Sequence, residues 1–154
     1  TAFAQLDELI LALRAAKEST NLPVIVSMTF DSGPEKTSTM MGNTPDDLVS
    51  AAIDAGADAV GANCGTGPEN YIKLTKMLRQ AISNHQPEGA RLLIWIKPNA
   101  GIPILREGRT VFPMGPEEFA SYVPEIVAAG ADFIGGCCGT TPAHIKAIKK
   151  ILQK

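Results

Sequence analysis

The sequence predicts an α/β fold of parallel (β/α) units, half of a TIM (β/α)8 barrel, on three observations. Helical and strand-like stretches alternate along its whole length, the pattern of a parallel sheet joined by crossover helices. Ala-Gly-Ala-Asp stands at 55–58 and again at 129–132, and the likeness continues at the same 74-residue offset: Gly61 with Gly135, Cys64 with Cys138, and Gly65-Thr66 and Pro68 with Gly139-Thr140 and Pro142. Two units share each offset, about 37 residues apiece, which is the pace of a barrel that totals about 250 residues. At that pace 154 residues make half a barrel. A small doubly wound sheet, complete in itself, also fits the alternation taken alone.

Each element has its own signal. Phe3, Leu6, Ile10 and Leu13 fall at helical spacing over 3–18, and Asn21 and Pro23 stop that helix. A strand over 24–30 follows, ending near Thr29. After a loop rich in Ser, Gly and Thr, Thr44 suits an N-cap, Pro45 the first turn, and Asp46 and Asp47 the positive end of the helix dipole. That helix runs to about Ala55, where Gly56 caps it, and 57–62 reads as a buried strand ending at Asn63-Cys64. Thr66-Gly67-Pro68-Glu69 starts a helix through Leu78 and Ile82. A strand over 92–97 ends in Pro98-Asn99-Ala100-Gly101, and a longer loop leads to a helix that begins at Pro116, Glu117 and Glu118 and closes at Gly130. A strand over 131–134, a turn over 135–141 and a helix over 142–152 complete the order: one helix, then four strands each followed by a helix. Residues 1–154 read as one domain.

Composition narrows the function. With 45% hydrophobic and 19% charged residues the chain can bury a core of its own. A net charge of -2, a pI near 5.7 and scattered Lys and Arg offer no field to a nucleic-acid backbone, so nucleic acid is not expected as a partner. Apolar runs such as 92–96 fall far short of the roughly 20 residues that span a bilayer, so no membrane is expected either. Thr1 opens directly into an amphipathic pattern carrying Asp7 and Glu8 instead of a signal peptide, and a cytoplasmic setting is the expectation.

Three cysteines cannot all pair within one chain, and two of them, Cys137 and Cys138, are adjacent. All three, with Cys64, fall at carboxyl ends of strands, where parallel α/β folds gather their active groups. Thiolates are soft ligands that select zinc or copper(I), and Gly61, Gly65, Gly135, Gly136 and Gly139 allow tight turns around a metal. Three protein ligands leave a tetrahedral zinc one open position, the mark of a catalytic site. His85, in a polar Ser-Asn-His-Gln-Pro loop, and His144, inside the last helix, are poor fourth ligands. Two other readings stay open: cysteines as small buried apolar residues, and a phosphate held by the amides of Gly135, Gly136 and Gly139, as in many barrels.

Gly-Ala-Asn-Cys-Gly-Thr-Gly-Pro at 61–68 and Gly-Gly-Cys-Cys-Gly-Thr-Thr-Pro at 135–142 resemble the zinc motifs of the homocysteine-binding methyltransferases. Val-Ser-Met-Thr-Phe at 26–30 and Lys-Pro-Asn-Ala-Gly-Ile-Pro at 97–103 are similar to the cobalamin-dependent methionine synthase branch of that family. The resemblance covers essentially the whole chain and implies the C-terminal half of the barrel, with Thr1 just past the fourth strand. It implies Cys64, Cys137 and Cys138 as zinc ligands, Asn99 beside the metal as a possible fourth ligand when homocysteine is absent, and Asn63 as part of the substrate pocket. The implied activity is methyl transfer to zinc-bound homocysteine thiolate, giving methionine, with methylcobalamin charged from methyltetrahydrofolate as donor. Betaine or S-methylmethionine would be alternative donors. The implied partners are homocysteine, cobalamin- and folate-binding modules, and a missing N-terminal barrel half or a second copy to cover the open edges of the sheet. A phosphate-binding barrel half and a non-catalytic zinc-binding fragment are the alternatives. The family's early-strand acid has no counterpart here, and Asp31, Glu35 and Asp58 read as solvated acids instead of substitutes for it. Trp95 reads as core and barrel wall.

Overall fold

A computed structural model describes residues 3–86 and 91–153. The helices are α1 (Leu6–Ser19), α2 (Pro45–Asp54), α3 (Pro68–His85), α4 (Pro116–Ser121), α5 (Val123–Ala128) and α6 (Pro142–Leu152). The strands are β1 (Ile25–Met28), β2 (Ala59–Asn63), β3 (Leu93–Lys97), a hairpin of β4 (Ile104–Arg106) and β5 (Arg109–Val111), and β6 (Phe133–Ile134). The main sheet runs β1-β2-β3-β6, every pair parallel, with Ile25 beside Ala59, Ala59 beside Leu93 and Trp95 beside Phe133.

That order never reverses. A doubly wound sheet turns back at a switch point and sends helices to both faces, so the architecture is the singly wound one of a barrel. The two faces agree. Val26, Met28, Val60, Ala62, Ile94 and Ile96 are buried with Leu9, Leu13, Leu48, Leu74, Leu78 and Ile126 of the helices. On the other face Ile25, Leu93, Trp95, Lys97 and Phe133 are only partly covered. There the Trp95 and Phe133 rings lie 6.0 Å apart and Lys97 Nζ sits 5.0 Å from the Trp95 ring. Trp95 therefore belongs to the wall of this inner face.

Several elements depart from the expectation. Phe3 is not helical: it pairs in parallel with Met28 and accepts the Thr29 N–H at 3.1 Å, so α1 begins only after the extended Gln5. The long loop before Pro116 contains the β4–β5 hairpin, turned by Glu107 and Gly108 at φ 51° and 74°, the signs that a two-residue hairpin turn requires. The helix after Pro116 is two helices, because Pro124 has no N–H to carry the ladder past Tyr122. His85 is the last residue of α3, bonded to Asp46 at 3.0 Å, and not part of a loop; Pro87 lies outside the described residues.

The repeated aspartates explain where two strands begin. Asp58 accepts the Val24 N–H at 2.7 Å and Lys17 Nζ at 2.9 Å. Asp132 accepts the Ile94 N–H at 2.9 Å, Arg79 at 2.7 Å and Arg91 at 2.5 Å. Each ties the amino end of one strand to the start of its neighbour in the main sheet. Asp58 is thus a staple and not simply a solvated acid. Its carboxyl is held below the usual value by the Val24 N–H and then Lys17. For Asp132, burial pushes upward, and the bonds from Ile94, Arg79 and Arg91 outweigh it to bring the carboxyl below the usual value. Glu35 pairs with Lys73, which lowers its carboxyl. Among the described residues no helix is long and apolar enough to cross a membrane.

Candidate metal centre

Cys64 follows directly on β2, and its N–H donates to the Lys97 carbonyl at 3.1 Å, extending the ladder one step beyond the strand. The chain then turns sharply, with Cys64 and Gly65 both in the left-handed region at φ 64° and 68°. Gly65 has no room for a side chain, since a Cβ would lie 2.7 Å from Asp31 Cβ. Cys137 and Cys138 occupy the turn after β6, where Gly139 is left-handed at φ 79° and a Cβ would meet Phe112 at 2.2 Å. Both glycines serve the turns the sequence assigned to them. Gly61 serves another purpose: a Cβ there would lie 2.1 Å from the Trp95 carbonyl oxygen, so it permits close approach of β2 and β3.

The segment after β3 stitches the two turns together. Pro98 O accepts the Cys137 N–H at 2.8 Å, Asn99 N–H donates to Thr66 O at 3.1 Å, and Ala100 N–H donates to Cys138 O at 2.9 Å. Asn99, buried, also accepts the Cys138 N–H on Oδ1 at 3.0 Å. Asn63, buried at the end of β2, accepts the Ser27 hydroxyl at 2.5 Å. The Thr66 hydroxyl is buried beside this network without a hydrogen-bond partner.

These bonds bring the three sulfurs together. Sγ of Cys64 and Cys138 lie 3.6 Å apart, those of Cys137 and Cys138 3.9 Å apart, and all three fall within 4.8 Å of one another. Zinc with bonds of about 2.3 Å sets sulfurs about 3.8 Å apart on a tetrahedron, so the spacing fits that ion. Cys64 and Cys137 are half-buried and Cys138 is exposed, which removes the reading of three buried apolar side chains. The chemistry fits too. The Cys138 thiol is pushed up to about 11, first by its hydrogen bond with Cys64, then by desolvation and by Cys137. Such a cluster ionises readily only beside a cation. Burial, and after it the neighbouring sulfurs, raises the Tyr71 phenol well above its usual value.

The histidines stand apart. Neither belongs to the sulfur cluster. His144 sits at the third position of α6, where Nδ1 accepts the Thr141 N–H at 3.1 Å and Nε2 bonds Met114 O at 3.1 Å, completing a capping box. Of the three amides on which the anion reading rests, that of Gly135 is spent on Ile96 O at 2.9 Å, and the neighbouring amides of Cys137, Cys138 and Thr140 go to Pro98 O, Asn99 Oδ1 and Cys137 O. A Cβ on Gly136 would strike Thr140 at 2.5 Å, so the turn is already filled by its own side chains.

Sequence reasoning missed one contributor. Tyr71 of α3 is fully buried and donates its hydroxyl to Cys64 O at 2.6 Å. The signal was a break in the repeat, because the residue 74 positions on is Ile145, which has no hydroxyl.

Comparison with known proteins gives a consistent picture. A family model described as homocysteine S-methyltransferase matches residues 2–152. Methionine synthase of Mycobacterium tuberculosis is 34% identical over 148 residues, covering 94% of this chain and 11% of that protein. Betaine–homocysteine S-methyltransferase 1 of Rattus norvegicus is 29% identical over 168 residues, covering 97% of this chain and 38% of that protein. The metallated form of the homocysteine methyltransferase MmuM from Escherichia coli shares the fold, with a TM-score of 0.69 at 23% identity over 97% of this chain and 42% of that one. The chain therefore spans less than half the length of each of these relatives.

Proposed function

We propose, from the premise that this chain belongs to the homocysteine S-methyltransferase family, that residues 1–154 form one unit, the C-terminal half of a homocysteine-binding barrel. Its function on this reading is to hold the sulfur end of a methyl transfer that converts homocysteine to methionine. The observation that carries the reading is the meeting of the Cys64, Cys137 and Cys138 sulfurs at the carboxyl ends of β2 and β6.

These three residues would hold zinc and leave a fourth tetrahedral position for the substrate's sulfur. When bound, zinc supplies a Lewis acid that keeps a thiol deprotonated and nucleophilic near neutral pH. The chain's own residues build the seat. Asn99 and Pro98 fix the Cys138 and Cys137 amides, which orients the two adjacent thiols, and by the family resemblance Asn99 would be the fourth ligand when homocysteine is absent. Asn63, held by Ser27, shapes the pocket at the end of β2. In the transfer a carbon–sulfur bond forms to the homocysteine sulfur, the donor loses its methyl group, and the thiol proton leaves to solvent.

For the donor we propose methylcobalamin charged from methyltetrahydrofolate on other modules, supported by the motifs at 26–30 and 97–103 and by the similarity to methionine synthase. A cytoplasmic setting accords with three reduced thiols. The part-covered inner face and the outer side of β6 would be closed by the remaining half of a barrel.

The test is metal analysis of the reduced protein and of Cys138→Ala, followed by homocysteine titration of the cobalt-substituted form. About one zinc per chain, lost in the variant, with a cobalt spectrum that shifts on adding homocysteine, is the expected result. A folded protein that binds no metal and ignores homocysteine overturns the reading. Turnover with methylcobalamin, and none with betaine or S-methylmethionine, checks the donor.

A further inference from the structure

We propose that Tyr71 is a positioning residue of the sulfur cluster: its phenol holds the Cys64 carbonyl and so keeps that cysteine in the left-handed conformation that aims its sulfur at Cys138. The functional meaning of this hold rests on the metal-site reading above, whereas the hold itself is a matter of backbone geometry.

Cys64 is one of three described non-glycine residues with positive φ, at 64°, and the next residue, Gly65, is left-handed as well. L residues avoid this region because Cβ crowds the following carbonyl. A residue found there persists only when its surroundings over-determine it. Here three hydrogen bonds do so. The Cys64 N–H goes to Lys97 O at 3.1 Å, and the Cys64 carbonyl accepts both the Thr66 N–H at 2.7 Å and the Tyr71 hydroxyl at 2.6 Å. The first comes from the neighbouring strand and the second from within the turn. Only the third reaches out to a helix, since Tyr71 lies in the first turns of α3 and is fully buried in the main core.

The internal repeat supplies a built-in control. In the matching turn 74 residues on, only Gly139 is left-handed, Cys138 is not, and Ile145 stands where Tyr71 would be. The phenol is present in the copy whose cysteine is strained and absent from the copy whose cysteine is relaxed. The third cluster member, Cys137, is fixed instead by Pro98 O. Each cysteine thus has its own peptide anchor, and Tyr71 is the one drawn from a helix.

The test is made on the protein at its natural length with Tyr71→Phe, which keeps the ring in the core and removes one oxygen, and with p-aminophenylalanine at position 71, which restores a donor. Zinc affinity by competition is expected to fall about tenfold or more in Tyr71→Phe, the usual effect of losing an outer-shell partner, and to recover with the amino analogue. The sulfur-to-cobalt absorption should change with it. In metal-free protein the diamide-driven Cys64–Cys138 cross-link should form more slowly in Tyr71→Phe than in wild type. Unchanged affinity, cobalt spectrum and cross-linking rate in a folded Tyr71→Phe overturn the inference. If Tyr71→Phe does not fold, the amino analogue decides alone: wild-type-like affinity and cross-linking support the donor role, and loss of both despite a native fold overturns it. If wild type binds no metal, the metal-site reading falls, and the cross-linking rate by itself decides the role of Tyr71.

Discussion

A single methyl group separates alanine from glycine at position 61, and β2 has no space for it. The added carbon would lie 2.1 Å from the Trp95 carbonyl, a backbone atom that cannot swing aside. Gly61→Ala is therefore expected to destabilise the fold by about 1–3 kcal/mol or more, the range for overpacked interiors. Urea unfolding checks this, and a loss under about 0.5 kcal/mol, an ordinary surface effect, would refute it. At this scale the sequence was informative about residue types and less so about their duties. Cys64, Cys137 and Cys138 were legible as a group because their side-chain chemistry and their place at strand ends agree. In the sequence Gly61 looks like a turn glycine, and only the inter-strand register with Trp95 shows why it is there. Tyr71 escaped notice because an aromatic at helical spacing looks like core, which its ring is, while the target of its hydroxyl lies in the preceding turn.

Elements begin where something holds their ends, and the aspartate staples do this for β1 and β3. Asp132 is nearly covered and takes three donors. Asp132→Asn is expected to cost about 1–3 kcal/mol, the scale of hydrogen bonds to a charged group. The pH dependence follows from the lowered carboxyl. A depressed folded value means the contribution is fully present above the unfolded range near pH 4 and is lost as pH falls through the lower folded value. The stability gap between wild type and Asp132→Asn should therefore be wide at pH 6 and close under acid. A constant gap down to pH 2 would contradict the staple. Helix ends with chemical markers were readable, including Thr44 with Asp47 and the bounds of α6. The β4–β5 hairpin was not, since its strands are three residues each and almost wholly exposed, which leaves no apolar alternation to detect. The break at Tyr122 carried a marker in Pro124, but the apolar spacing on either side bridges it.

The whole molecule is joined at its upper end by residues far apart in sequence. Cys64 and Cys138 are 74 residues apart, and the unfolded chain has no preformed site, so metal binding should add to folding stability. At free zinc one hundred times the dissociation constant the gain is about 2.7 kcal/mol. For a chain of this size that corresponds to a rise in melting temperature of about 5–10 °C. Chelation should reverse it, and Cys138→Ala should abolish it. Melting temperatures that ignore zinc would contradict a site shared between β2 and β6. At this scale the alternation and the repeat gave half a barrel, but the choice against a doubly wound sheet needed the observed strand order.

The aspartate staples stand at the amino ends of the strands and the cysteine turns at the carboxyl ends: Asp132 holds Ile94 of β3, and Asn99, which holds Cys138, stands five residues further along that segment. At about 3.3 Å per residue that is roughly 15 Å, beyond the range over which substitutions usually interact. One end of the sheet can therefore be rewritten without renegotiating the other. A chain combining Asp132→Asn with Cys138→Ala should lose the sum of the two single losses, so that ligand chemistry and structural tolerance vary as independent quantities on a single scaffold.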